Sequence, residues 1–347
     1  MRRQEQPNGR KFEQDTPVDF VIIGSGIAGG SVARELTAKG FEVLVLEQGR
    51  HVPPSDMEHD ELGAFVTNRW TNTPEQSPQS YRSTPDAKAE PRHFLQYARV
   101  VGGTTLHFTG NFWRFRPIDF NEFSQRGAVS GANVADWPIT YDELEPYYTA
   151  VEYAMGVSGE TPTDPREPRR SKPFPLPPLN VTGPGVLLEV GAKKLGWNSK
   201  AAPMAILSRE YKGRQPCHNC GFCLAFPCEW GAKSGANWTM IPDALRSGRC
   251  EVRSDSYVHR IETDDSGRVT GVLYFDKDKK EQRQQAKAVV LSANGAETPR
   301  LLLMSTSTRF PNGLANSSGV VGKYLTDSTG TDVSGFIPQM MDHVPHN

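Results

Sequence analysis

Residues 18–47 constrain this chain more than any other stretch. They run Val18-Asp-Phe-Val-Ile-Ile-Gly-Ser-Gly-Ile-Ala-Gly-Gly-Ser-Val-Ala-Arg-Glu-Leu36 and close on Val43-Leu-Val-Leu-Glu47. The pattern reads as a buried strand, a glycine turn, an amphipathic helix, a second buried strand and a terminal carboxylate. Gly24 permits the tight turn, Gly26 lets backbone approach a pyrophosphate, and Gly29 lets helix and strand pack closely. The free N–H groups at the helix start face the phosphates. Ala33 and Leu36 lie at helical spacing from Gly29 and point at the sheet. Gly40 is a natural helix stop. Glu47 ends the second strand, where a carboxylate can accept ribose hydroxyls. A bare glycine motif is weak evidence, but here it has its full strand–turn–helix–strand setting, which favours dinucleotide binding over an ordinary βαβ unit.

The chain's 347 residues suggest about two domains. Its 32 glycines and 27 prolines imply long, turn-rich connections. A net charge of −1 argues against a polyanionic partner, so no nucleic acid is expected. No apolar run is long enough to span a bilayer. The polar start, Met1-Arg-Arg-Gln-Glu-Gln, lacks an apolar signal region, which implies a cytoplasmic chain unless a partner carries it to the periplasm or membrane.

Residues 1–17 read as a mobile tail. Residues 51–96 are polar and proline-containing, a long excursion suited to a functional loop or a subunit contact. A helix is predicted within 137–156, capped by Thr140 with Glu143 completing a capping box, and stopped by Gly156. Residues 162–184 hold eight prolines and read as an extended connector. Short helices follow at 185–195, stopped by Gly196, and near 237–247. A meander is predicted through 257–263, 268–275 and 286–292, with turns at 264–267 and 276–280. Its last strand, with Ala288-Val-Val-Leu-Ser-Ala293, is apolar on both faces, as a central strand should be. A helix is placed from about Pro299.

Two further motifs carry chemistry. In Gly102-Gly103-Thr104-Thr105, consecutive glycines let backbone approach a flat ring or a phosphate, and threonine hydroxyls can donate to phosphate oxygens. Cys217, Cys220, Cys223 and Cys228 crowd one Gly/Pro loop with spacing x2, x2, x4. Such thiols can converge on an iron–sulfur cluster, with zinc, a disulfide or inert thiols as alternatives. The spacing departs from the bacterial ferredoxin run in its last gap. Cys250 lies apart and reads as a buried thiol. His218 reads as a bystander in the cysteine loop.

The order of these pieces resembles the glucose–methanol–choline (GMC) family of flavin oxidoreductases. Five segments carry the likeness: Gly24–Gly30 with Glu47; Arg99-Val-Val-Gly-Gly-Thr-Thr105; Trp137-Pro-Ile-Thr-Tyr-Asp-Glu-Leu144; Asn294-Gly-Ala-Glu-Thr-Pro-Arg-Leu-Leu-Leu-Met304; and Gly319-Val-Val-Gly-Lys-Tyr-Leu325. The cysteine run and Gly102–Gly110 look most like bacterial sugar and sugar-acid dehydrogenases, such as gluconate 2-dehydrogenase flavoprotein subunits. The resemblance implies an α/β fold, α+β overall: a Rossmann-type FAD-binding domain from 15–115 and 216–327, with a cap or substrate segment at 116–215 inserted. Residues 328–347 would begin an incomplete substrate domain.

By the same resemblance the cofactor is FAD, contacted at Gly24, Gly26, Gly29, Glu47, Gly102, Gly103, Thr104, Thr105, His107 and Ala293. His107 stands where some members attach flavin covalently; packing beside the ring is the alternative. Related dehydrogenases with a cluster pass electrons to a cytochrome subunit, so a small subunit and a membrane cytochrome are implied partners, beside a sugar or polyol substrate. The family's proton-handling histidine lies in a C-terminal motif that His343 and His346 do not match. No catalytic residue is therefore assigned, and the 347-residue chain alone is expected to have little dehydrogenase activity. An oxygen-using alcohol oxidase and a non-catalytic flavin-binding fragment are the competing readings; the second glycine loop argues against an NAD-dependent dehydrogenase.

Overall fold

In the computed structural model, residues 9–67, 69–71, 73–84, 86–92, 97–162 and 167–326 are described. The first βαβ unit forms as the sequence predicts: β1 (Val18–Ile23), α1 (Ile27–Ala38) and β2 (Val43–Leu46), with β1 and β2 parallel. Two-residue strands β3 (Ser80–Tyr81) and β4 (Glu90–Pro91) pair within the long excursion. Four helices follow: α2 (Glu122–Arg126), α3 (Tyr141–Met155), α4 (Gly183–Lys194) and α5 (Met240–Arg246). The chain then returns through β5 (Cys250–Arg253), β6 (Tyr257–Thr263), β7 (Val269–Phe275), β8 (Glu281–Leu291) and α6 (Asn294–Met304).

The main sheet has six strands in the order β5-β2-β1-β8-β7-β6. The first four are parallel to one another, and β7 and β6 continue it antiparallel. This is an α/β fold with a parallel centre. Alternation along β1 and β2 fills two cores. Val21, Ile23, Leu44 and Leu46 pack with Val272, Tyr274 and Leu301. Ile22, Val43 and Val45 pack with Ala33 of α1 and Ile241 and Leu245 of α5. Burial on both faces is what a central parallel strand requires, and it explains the unbroken apolar run.

Strand β8 is longer than its predicted span of 286–292. Its first half, Glu281–Gln285, pairs antiparallel with β7, and Ala286–Leu291 pairs parallel with β1. The charged first half rides beyond β1, so it carries none of the apolar signal that marked the second. Helix α6 begins at Asn294 rather than near Pro299. The Asn294 side chain accepts from the backbone N–H groups of Ala296 and Glu297, both at 2.9 Å, and caps the first turn.

Helix α3 keeps its predicted ends. Thr140 Oγ1 accepts from Glu143 N at 3.3 Å, Glu143 Oε2 accepts from Thr140 N at 2.8 Å, and Gly156 closes the helix at φ 78°. Its buried face carries Glu145 and Glu152, which hold Arg114: Nη1 donates to Glu145 Oε1 at 2.9 Å, and Nε and Nη2 donate to the two Glu152 oxygens at 2.9 and 2.8 Å. Arg170 also pairs with Glu152. Of the predicted tail, residues 9–17 are described and lie against the sheet. Phe12 is buried in the core and its N–H donates to Glu251 at 2.7 Å. The apolar Phe12 anchors what composition alone marked as mobile. The start of the substrate domain at 328–347, with His343 and His346, lies outside the described residues.

Candidate functional site

At the C-terminal ends of β1, β2 and β8 a cleft of about 430 Å³ opens. That is the place, and within the size range, at which open α/β sheets take ligands. Gly24, Gly26, Glu47, Gly103, Thr104, Thr105 and Ala293, seven of the residues proposed from sequence, line it together. Gly24 turns the chain at φ +95°, and a Cβ there would stand 2.5 Å from the Ser292 carbonyl oxygen. Gly29 sits beneath the turn, where a Cβ would meet Gly24 O at 2.0 Å. At Gly26 a Cβ would meet nothing within 4 Å, because its face is open to the cleft. The three glycines therefore do separate work: strand crossing, helix–turn contact and an unobstructed wall.

Glu47 is buried at the base. Its Oε2 accepts from Ser25 N at 3.0 Å and Ser25 Oγ at 2.7 Å, and its Oε1 accepts from Gly49 N at 2.9 Å. Burial pushes its carboxyl above the ordinary range, against the pull of these donors. A carboxylate has about four acceptor positions, so three are filled, two by Ser25 of the turn and one by Gly49 just beyond β2. Ser25, to which the sequence motif gives no role of its own, also accepts from Gly102 N at 3.0 Å. It thereby joins the first glycine turn to the second. Its small size between two glycines was the available signal.

The second loop is held rather than open. Gly102, at φ +99°, packs against Asn237. Thr105 Oγ1 donates to Gly102 O at 2.7 Å and accepts from Ala236 N at 2.9 Å. Its proton is thus committed to the loop, unlike the phosphate donation expected of it. Thr104 Oγ1 accepts from Ala98 N at 3.3 Å, and the residue lines the cleft. Gly29, Gly102 and His107 do not line the cleft. His107 is 8% exposed, and its Nε2 has no hydrogen-bond partner. Burial first, and then the charge of Lys233, pull its imidazole down to about 4.

Cys217, Cys220, Cys223 and Cys228 all border one small cavity of about 20 Å³, with His59, His218 and Lys233. All are free thiols. Burial pushes Cys217 and Cys223 up. Among the described residues no three His, Cys, Asp or Glu side chains are placed to hold one metal ion. The side chains gather as the spacing suggests but do not form a ligand set. Lys233 has its Nζ on the carbonyls of Phe108, Cys223 and Phe226 at 2.6, 2.9 and 2.6 Å, tying this loop to the one that carries His107. Cys250 is buried on β5, where burial pushes its thiol up to about 12.

A family model for GMC oxidoreductases matches residues 18–329. The chain belongs to the GMC oxidoreductase family. Among GMC relatives it is 33% identical to the fructose dehydrogenase large subunit of Gluconobacter japonicus, over 91% of this chain and 59% of the relative. It is 31% identical to the gluconate 2-dehydrogenase flavoprotein of Pantoea cypripedii, over 88% of this chain and 55% of the relative. The chain thus spans little more than half the length of these GMC proteins. A solved formate oxidase structure from Aspergillus oryzae superposes with a TM-score of 0.54 at 16% identity, over 85% of this chain and 48% of that one. That likeness concerns the fold.

Proposed function

We propose that this chain is the FAD-binding part of a GMC dehydrogenase that oxidises CH–OH groups of sugars, sugar acids or polyols. The observation that carries the reading is the cleft in which Gly26, Gly103, Thr104 and Glu47 converge. Gly26 leaves room for a pyrophosphate, the first turn of α1 offers N–H groups to it, and Glu47 Oε1 keeps an acceptor position for a ribose hydroxyl. The flavin, when bound, accepts hydride from the alcohol carbon. The residues of this chain hold and orient the dinucleotide, and Ser25 keeps the two glycine turns in register. The dehydrogenase reading rests on the names of the relatives at 31–33% identity.

An iron–sulfur cluster at the cysteine loop rests on the spacing of Cys217, Cys220, Cys223 and Cys228 and on the resemblance to sugar dehydrogenases. Among the described residues the geometry supplies no ligand set for it. Partner subunits and export with a partner rest on the resemblance to sugar dehydrogenases alone.

An absorbance spectrum of the purified chain, with iron and acid-labile sulfide analysis, tests both readings. Released FAD supports the first; bound nicotinamide cofactor, or no affinity for FAD, overturns it. Sulfide below one atom per chain overturns the cluster. Substantial turnover of fructose or gluconate by the chain alone would overturn the low activity expected of it, and dye reduction without peroxide in that case separates dehydrogenase from oxidase.

A further inference from the structure

The walls of the cleft are joined by a chain of hydrogen bonds that cofactor contact does not require. Ser77 Oγ and Tyr97 OH are 2.7 Å apart, and Tyr97 OH donates to Glu297 Oε1 at 3.2 Å. With that proton committed, Ser77 is the donor to Tyr97. The other Glu297 oxygen receives Arg300 Nε and Nη2, each at 2.7 Å. Tyr97, Glu297 and Arg300 line the cleft. Tyr97 belongs to the segment that leads into Gly103–Thr105, and Glu297 to the first turns of α6. The two residues are 200 positions apart, both half-buried, and both line the cleft. The hydroxyl-to-carboxylate bond is long at 3.2 Å but has an ionisable acceptor, and Arg300 fixes that carboxylate so that it cannot swing away.

We propose that the Tyr97–Glu297 bridge is a clasp that governs the entry and exit of the dinucleotide. This rests on the FAD reading above. A contact to the bound cofactor would stabilise the complex and slow release alone. A clasp between protein walls is a barrier in both directions, so its loss speeds uptake and release together.

The test uses the full chain loaded with FAD, followed by flavin fluorescence on dilution for release and on mixing for uptake. Tyr97→Phe, which keeps the ring and removes the hydroxyl, is expected to raise both rates about tenfold and to leave Kd nearly unchanged. Ser77→Ala removes the donor that orients Tyr97 and is expected to act in the same direction, more weakly. It carries the test if Tyr97→Phe does not fold. An unchanged release rate overturns the clasp, as does faster release with unchanged uptake. Failure of the wild-type chain to bind FAD overturns the FAD reading and the clasp with it, whereas bound FAD with unaltered rates overturns the clasp alone.

Discussion

Gly26 and Gly24 stand two residues apart and respond to opposite tests. Gly26 has φ −61°, which any residue adopts, and open space where its Cβ would be. Gly26→Ala is expected to leave stability within about 0.5 kcal/mol while weakening FAD binding at least tenfold, read by melting and by flavin titration on one preparation. Gly24→Ala places a methyl 2.5 Å from Ser292 O at positive φ, so the fold itself suffers. His107 supplies a pH dependence. Its folded value lies near 4, below the ordinary 6.5. Unfolded chain therefore binds a proton that folded chain refuses between those limits. The stability this group contributes is complete above pH 6.5 and is lost as pH falls towards 4, by about 3 kcal/mol in all. Denaturant midpoints across that range should fall more steeply in the wild type than in His107→Gln. Equal slopes would show that His107 is not the group. Of the site at this scale, Gly24, Gly26 and Glu47 were legible because short-range pattern marks them. Ser25 and Tyr97 were not, because their partners are Gly102 and Glu297, far along the chain.

At the scale of elements, signals written in neighbouring residues survived intact. The capping box of Thr140 and Glu143 and the left-handed Gly156 set both ends of α3 as read. The same kind of signal lay unused at α6, where Asn294 precedes Glu297 by three residues; Pro299 drew the boundary instead. Strand β8 could be read only where its apolar half met β1. The hidden feature of α3 is its polar core. Arg114, 2% exposed in its side chain, is surrounded by Glu145 and Glu152. Removing it leaves two buried carboxylates with Arg170 as the remaining guanidinium on Glu152. Arg114→Met is expected to cost about 3–5 kcal/mol, measured by urea unfolding. A loss below 1 kcal/mol would mean that water reaches the site and the pair is not buried in solution.

For the whole molecule, the candidate cleft is a junction rather than a local motif. It is walled by β1 and β2 from the start of the chain, by the 97–105 loop, and by β6, β8 and α6 from its end. A ligand bound there holds all three together. FAD at a hundredfold excess over its Kd should raise unfolding free energy by about 2.7 kcal/mol, and Gly26→Ala should erase about half of that gain or more at the same FAD concentration. A calorimetric scan with and without FAD checks it. The order of strands also sets a timetable. β1 has β2 on one side, available at once, but its other neighbour is β8, with Val18 opposite Ala286. During synthesis at about 5–20 residues per second, the 245 residues between Leu46 and Leu291 take roughly 12–50 s to emerge. For that interval the hydrophobic edge of β1 has no native partner. A nascent chain of this design must be shielded by the ribosome's attendants, or pair with its own copies.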